Sequence, residues 1–338
     1  MKNILGPVKK RRVWGNILTL ALLGLGVYLI LPQITVLENS IHTLLSLLLW
    51  AVGLAFVTQG LSYLGSGYLL QKMLEISHQA VVLTRSTLIV LGSASVALVA
   101  GGSVGSSAAI FRWSGHKNTN VAGATLASLL PSLFTSLMLV LFSIFGLAHL
   151  ILVHGLTEIQ VIGFSITIAF LGLVILGTLL ASHFRNQVSR VILGLSLGIA
   201  KLLHRPNPQA AVRKGMENIF SAWDELRMGK WHRLMLGAFL NVFFDLLTLY
   251  FLFIAAGVQI SLGVLLSGYA LPLLLGRLAF ILPGGVGVVE SSMAGLYASL
   301  GIPDATAVVV VLAYRLISFW IPSLSGFPIA AYLENTSR

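Results

Sequence analysis

Apolar runs long enough to cross a bilayer follow one another along nearly the whole chain, separated by short polar or glycine-rich breaks. The first covers residues 13–31; as a helix it would be about 28 Å long, close to the thickness of a hydrocarbon core. Further runs cover 41–70, 86–110, 122–153, 159–181, 234–257 and 260–281. Residues 284–333 are also apolar, with one break just before them at Pro283-Gly284-Gly285 and another inside at Gly301-Ile302-Pro303-Asp304. The pattern predicts an all-α polytopic membrane protein, one integral membrane domain over 1–338, with about six full spans plus two glycine-broken hairpins. The first run superficially resembles a signal peptide, but it is too long and no small-x-small site follows at Pro32-Gln33, so a retained span is expected.

Charge placement turns this pattern into a topology, because segments rich in Lys and Arg stay in the cytoplasm. Lys9, Lys10, Arg11 and Arg12 put the N-terminus inside, and residues 32–40, with Glu38 and no basic residue, outside. Run 86–110 lies between Arg85 and Arg112, so both its ends are expected inside and its turn near Gly101–Gly105. Residues 260–300 are flanked by Gln259 and Asp304 with no basic residue at either end, so this second hairpin opens outward and turns at Pro283–Gly287. The C-terminus returns to the cytoplasm. Segment 182–233 carries most of the remaining basic residues, and Asn207-Pro208 begins a helix there with Val212, Met216, Ile219, Phe220 and Trp223 at helical spacing. This predicts a basic amphipathic helix on the cytoplasmic leaflet, with a solvated linker as the plain alternative.

Composition narrows the function classes. Hydrophobic residues make up 57% of the 338 residues and charged residues 9%, against roughly 25% in a soluble domain, so a soluble protein is excluded. With no cysteine, there is no thiol chemistry, zinc-thiolate centre or disulfide framework. The net charge of +11 sits in short flanks between spans, which the positive-inside rule explains without nucleic acid. Gly101-Gly102-Ser103-Val104-Gly105 fits the G-x-S-x-G pattern, but the strand–turn–helix context and later acid and His of a hydrolase are missing. Ser114-Gly115-His116-Lys117 fits S-x-x-K without its companion motifs; there is no Walker A or H-E-x-x-H string, and the eight scattered His indicate no metal.

Two glycine turns, at 100–105 and 283–287, stand in equivalent places in units of opposite orientation, 41–153 and 234–333. Such units are the signature of inverted-repeat transporters with a site near the midplane. A broken helix frees N–H groups at the start of the next half-helix, where the dipole favours an anion; the plain alternative is that these glycines only allow close packing. Of the ionisable residues within apolar runs four stand out: Asp245, Arg277, Glu290 and Arg315. Either they form two ion pairs that fasten helices, or Arg277 and Arg315 meet an anionic headgroup while Glu290 and Asp245 balance or gate them.

The string LPGGVGVVESSMAGLYASLGIP, followed by AVVVVLAYRLISFWIPSLSG, resembles the signature of the lysylphosphatidylglycerol synthase transmembrane region, a flippase-like family. Its P-G-G-x-G-x-x-E turn is matched by Pro283 to Glu290, and its Tyr-Arg-containing last helix by Tyr314-Arg315. AGGSVGSSAAIFRWSG is similar to the family's first glycine turn and following arginine, here Arg112, although without the usual Pro-Gly. The soluble aminoacyltransferase domain of the full synthase has no counterpart in these residues, so synthase activity is not expected.

The resemblance implies lipid translocation, and with the intramembrane charges it defines the expected site. Arg277 and Arg315 would bind phosphate, with Arg112 as their cytoplasmic-side counterpart. Gly101, Gly102, Gly105, Gly284, Gly285 and Gly287 would supply backbone N–H groups. The expected protein is a non-enzymatic, flippase-like transporter of the bacterial plasma (inner) membrane that needs no cofactor and no metal. Membrane lipids are its expected partners, a homo-oligomer remains open, and nucleic acid is not expected. Two alternatives from other classes are a secondary transporter of a small soluble anion and a non-transporting partner of a membrane glycosyltransferase.

Overall fold

A computed structural model describes residues 47–76, 79–114, 121–153, 231–278 and 282–336, with isolated positions between 158 and 213. The expected first span, most of run 159–181 and the basic segment up to residue 230 lie outside the described residues. Within them every regular element is helical: α1 (Leu49–Ile76), α2 (Leu83–Ala100), α3 (Gly102–Ser114), α4 (Val121–Val153), α5 (Trp231–Ala255), α6 (Leu262–Leu278), α7 (Val288–Ser299), α8 (Asp304–Arg315) and α9 (Ile321–Thr336). Four stretches are long and apolar enough to cross a membrane: Leu83–Ala100, Ala127–Leu152, Trp231–Ala255 and Asp304–Thr336. The protein is an all-α membrane protein.

α1 and α5 form the centre, and small residues bring their backbones together. A Cβ on Gly65 would lie 2.6 Å from the Asn241 nitrogen, and one on Gly237 2.9 Å from the Leu69 Cα. At this crossing Ser62 Oγ donates to the Asn241 carbonyl (3.0 Å) and Asn241 Nδ2 donates to Ser62 Oγ (2.9 Å), so both polar side chains are satisfied. α1 differs from the expected span 41–70 because it runs on to Ile76. Lys72 donates to both carboxylate oxygens of Glu75 one turn later, a pairing that lets a helix continue past its apolar run.

Both expected hairpin turns are present. α2 ends at Gly101 (φ 86°), and α3 starts at Gly102 (φ 57°), conformations that a Cβ would strain. Gly105 then lies against Ala100 and the Val96 carbonyl, so the two arms pack back to back. α6 and α7 are joined through a short 3₁₀ turn at Pro283–Gly285 with φ of 59° and 65° at Gly284 and Gly285. The returning arms, α3 and α7, have 13 and 12 residues, about 20 and 18 Å, too short to cross a hydrocarbon core of about 30 Å.

Around this centre, α6 lies along α4, with Gly146 against Ser267 and Gly263 against Leu150. α9 lies on α2, with Gly326 against the Leu91 carbonyl and Gly92 against Leu333. After the break at Gly301–Asp304 the apolar stretch was expected to run to Leu333. Instead it runs from Asp304, whose carboxylate suits the first turn, to Thr336 through a wide π turn at Leu316–Trp320. Within that turn the Ser318 carbonyl accepts a hydrogen bond from Tyr63 Oη (3.0 Å), which ties the irregular segment to α1.

Candidate functional site

The tips of the two hairpins line one open cavity of about 610 Å³, bordered by α1 to α7 and the π turn. Gly102 and Ser103 from the first turn, Gly284 and Gly285 from the second, and Arg277 from the last turn of α6 all reach it. A volume of this size falls within the range of small-ligand sites.

Arg277 is held at the cavity wall through one nitrogen. Its Nη1 donates to the Ser132 carbonyl (2.9 Å) and to Ser136 Oγ (2.6 Å), five and nine residues inside the apolar stretch Ala127–Leu152. Pro131 sits inside α4 just before this point and disturbs its regular bonding. The side chain is exposed within the described residues, and Nη2 and Nε lie beyond the two bonds made by Nη1. It is a cation set against the inside of a stretch long and apolar enough to cross a membrane, where a charge needs a partner.

Arg315 is placed differently. Its Nε donates to Glu290 Oε1 (2.6 Å), its Nη2 donates to the Gly284 carbonyl (2.8 Å), and its guanidinium lies 4.6 Å from the Phe319 ring centroid. Both charged side chains are buried, 5% and 1% exposed, so this is a closed internal ion pair. The other oxygen of Glu290, Oε2, accepts the Gly287 N–H (2.6 Å), so the helix start expected to hold a phosphate already holds the protein's own carboxylate. Gly287 therefore differs from its expected role as a donor to a ligand. The ring of Phe319 also fills the space beside Gly284.

Asp245 forms no second ion pair among the described residues. Its Oδ2 accepts hydrogen bonds from Tyr269 Oη (2.8 Å) and Tyr314 Oη (2.7 Å), and Tyr269 lines the cavity in front of it. Tyr314→Phe removes a charge-assisted bond but leaves Asp245 its second tyrosine; a loss of about 1.5 kcal/mol is expected in thermal unfolding in a fixed detergent. Arg112 is separate from the cavity: at the end of α3 it pairs with Glu334 of α9 and is 65% exposed. Gly101 and Gly105 serve the turn itself, the first as the left-handed cap of α2, the second as a packing contact.

The structure thus brings both glycine turns and Arg277 together, and directs Arg315, Glu290 and Asp245 to internal partners. Sequence reasoning missed the hydroxyl lining: Ser93, Ser103, Ser106, Ser132, Thr135 and Ser136 all face the cavity. Their one signal was recurrence within apolar runs on both sides of the same turn. Tyr269 was missed as well, although a tyrosine hydroxyl deep in an apolar helix always needs a partner.

The model of the family described as the lysylphosphatidylglycerol synthase TM region matches residues 16–326. The chain is 29% identical over 150 residues to a UPF0104 membrane protein of Methanothermobacter thermautotrophicus, covering 43% of this chain and 44% of that protein. It is 40% identical over 83 residues to a UPF0104 membrane protein of Pyrococcus horikoshii, 24% of each chain. Another from Methanocaldococcus jannaschii is 23% identical over 146 residues, 42% of this chain and 43% of that one. The matched stretches span less than half the length of these relatives.

Proposed function

The chain belongs to the lysylphosphatidylglycerol synthase transmembrane-region family, and from that premise we propose that it moves an anionic lipid headgroup between leaflets through the cavity where its two glycine turns meet. The observation that carries this reading is Arg277, a cation with N–H groups beyond the two bonds it makes among the described residues, facing a largely apolar cavity with serine and threonine hydroxyls in its wall. Arg277 holds the phosphate. The Arg315–Glu290 pair positions the second turn, and Arg112 fastens the end of the first hairpin to the last helix. Asp245 stands behind Tyr269 and balances the charge of the cavity wall.

In this reading 41–153 and 234–333 act as two inverted units, and the hairpin tips form the shared floor that a headgroup passes. The protein sits in a plasma membrane with both termini on the cytoplasmic side, in keeping with its basic flanks. It carries out no covalent chemistry; its matched family is defined on a membrane region.

The test is transbilayer movement of tail-labelled phosphatidylglycerol in reconstituted vesicles. Arg277→Gln, folded as judged by its thermal transition, is expected to lower the rate by about tenfold or more, the equivalent of one charge-assisted hydrogen bond of about 1.5–3 kcal/mol. An unchanged rate would remove Arg277 from the site. Wild-type protein that moves no anionic lipid would overturn the reading itself.

A further inference from the structure

The side chains of the cavity specify a headgroup more closely than its charge alone. Among the described residues that line it, Arg277 is the one charged group. Neither of the carboxylates within apolar helices, Asp245 and Glu290, lines it: Asp245 holds Tyr269 and Tyr314 through Oδ2 behind the wall, and Glu290 is closed on Arg315 and Gly287. An ammonium group entering here would meet no acidic oxygen among the described lining residues and would be repelled by the guanidinium. One guanidinium matches a single phosphodiester charge, which it binds well through paired N–H groups.

The hydroxyls fix the rest of the complement. Ser93 Oγ donates to the Val90 carbonyl (2.7 Å), Ser106 Oγ to the Ser103 carbonyl (3.0 Å), and Thr135 Oγ1 to the Pro131 carbonyl (2.9 Å). With each O–H spent on its own helix, the oxygens offer lone pairs to the cavity. These acceptor oxygens, set in an otherwise largely apolar wall, suit a group that brings O–H donors.

We propose that this cavity, read as the lipid site above, takes a phosphate ester of a neutral polyol such as glycerol or a sugar and discriminates against headgroups that carry an amine. The phosphate lies on Arg277, and the polyol hydroxyls donate to the serine and threonine oxygens on the hairpin and on α4.

The experiment compares full-length protein in phosphatidylcholine vesicles with tail-labelled phosphatidylglycerol, phosphatidylethanolamine and lysylphosphatidylglycerol, and separately measures uptake of radiolabelled glycerol phosphate. Phosphatidylglycerol is expected to move at least about tenfold faster than either amine lipid, a difference of about 1.4 kcal/mol. Arg277→Gln is expected to shrink that ratio. Because the wild-type ratio carries the test, a variant that fails to fold does not disable it. Amine lipids moving as fast as phosphatidylglycerol would overturn this inference and leave lipid movement standing. Uptake of glycerol phosphate with no movement of lipid would overturn the lipid reading and leave the headgroup chemistry standing. Neither movement nor uptake would overturn both.

Discussion

Arg315→Ala is expected to destabilise the protein by about 3–5 kcal/mol, because it leaves the Glu290 carboxylate buried without its cation. The loss should be seen as a lower thermal transition in a fixed detergent. The double change Glu290→Gln with Arg315→Gln should recover most of it, since a glutamine carbonyl at 290 still accepts the Gly287 N–H and no charge remains to be neutralised. Equal losses in the single and double variants would mean that packing around Phe319, not charge, makes this region stable. The outcome also bears on function. If Arg315 positions the turn rather than holding phosphate, the double variant retains movement of phosphatidylglycerol, while Arg277→Gln loses it.

The second large effect is expected at the crossing of α1 and α5. A valine at 65 places its Cβ 2.6 Å from the Asn241 nitrogen and 3.0 Å from its Cα, and backbone atoms cannot turn aside as a side-chain end can. The two central helices must then separate, breaking the Ser62–Asn241 hydrogen bonds beside the contact. A loss of about 3 kcal/mol is expected, measured by the same thermal transition and by the yield of monodisperse protein. A Gly65→Val variant with wild-type stability would mean that the α1–α5 approach does not organise the fold.

The two glycine turns were legible because Gly and Pro act on the backbone directly: the positive φ found at Gly101, Gly102, Gly284 and Gly285 is one that glycine adopts without strain, and Pro283 breaks the helical bonding beside it. Four intramembrane charges summing to zero were legible too, but not their pairing. Arg315 meets Glu290 across 25 residues, whereas the Asp245 carboxylate is taken by Tyr269 and Tyr314, partners that two ion pairs among the four charges did not include. The end of α1 was hidden because Lys72 and Glu75 read as loop charges in the chain and as a helical pair in the fold. The hydroxyl wall was silent for a related reason. A serine that donates to its own helix is as compatible with lipid as with a cavity, and only the arrangement of α2, α3 and α4 decides which it faces.

The wide turn at Leu316–Trp320 gives the last span two independent phases. Before it, Tyr314 is aimed at Asp245 of α5 and Arg315 at the second hairpin; after it, Gly326 and Leu333 are aimed at α2. Ile321 N–H bonds to the Leu316 carbonyl five residues back, so the turn holds one residue more than a regular helix would. Wound as an ordinary helix, the same residues would swing everything after the turn by about 100°. Gly326 would then no longer face the Leu91 carbonyl, and a bulkier neighbour would take its place against α2. The extra residue is therefore a phase correction: it lets one continuous membrane span serve the charged interior of one hairpin and the close-packed flank of the other.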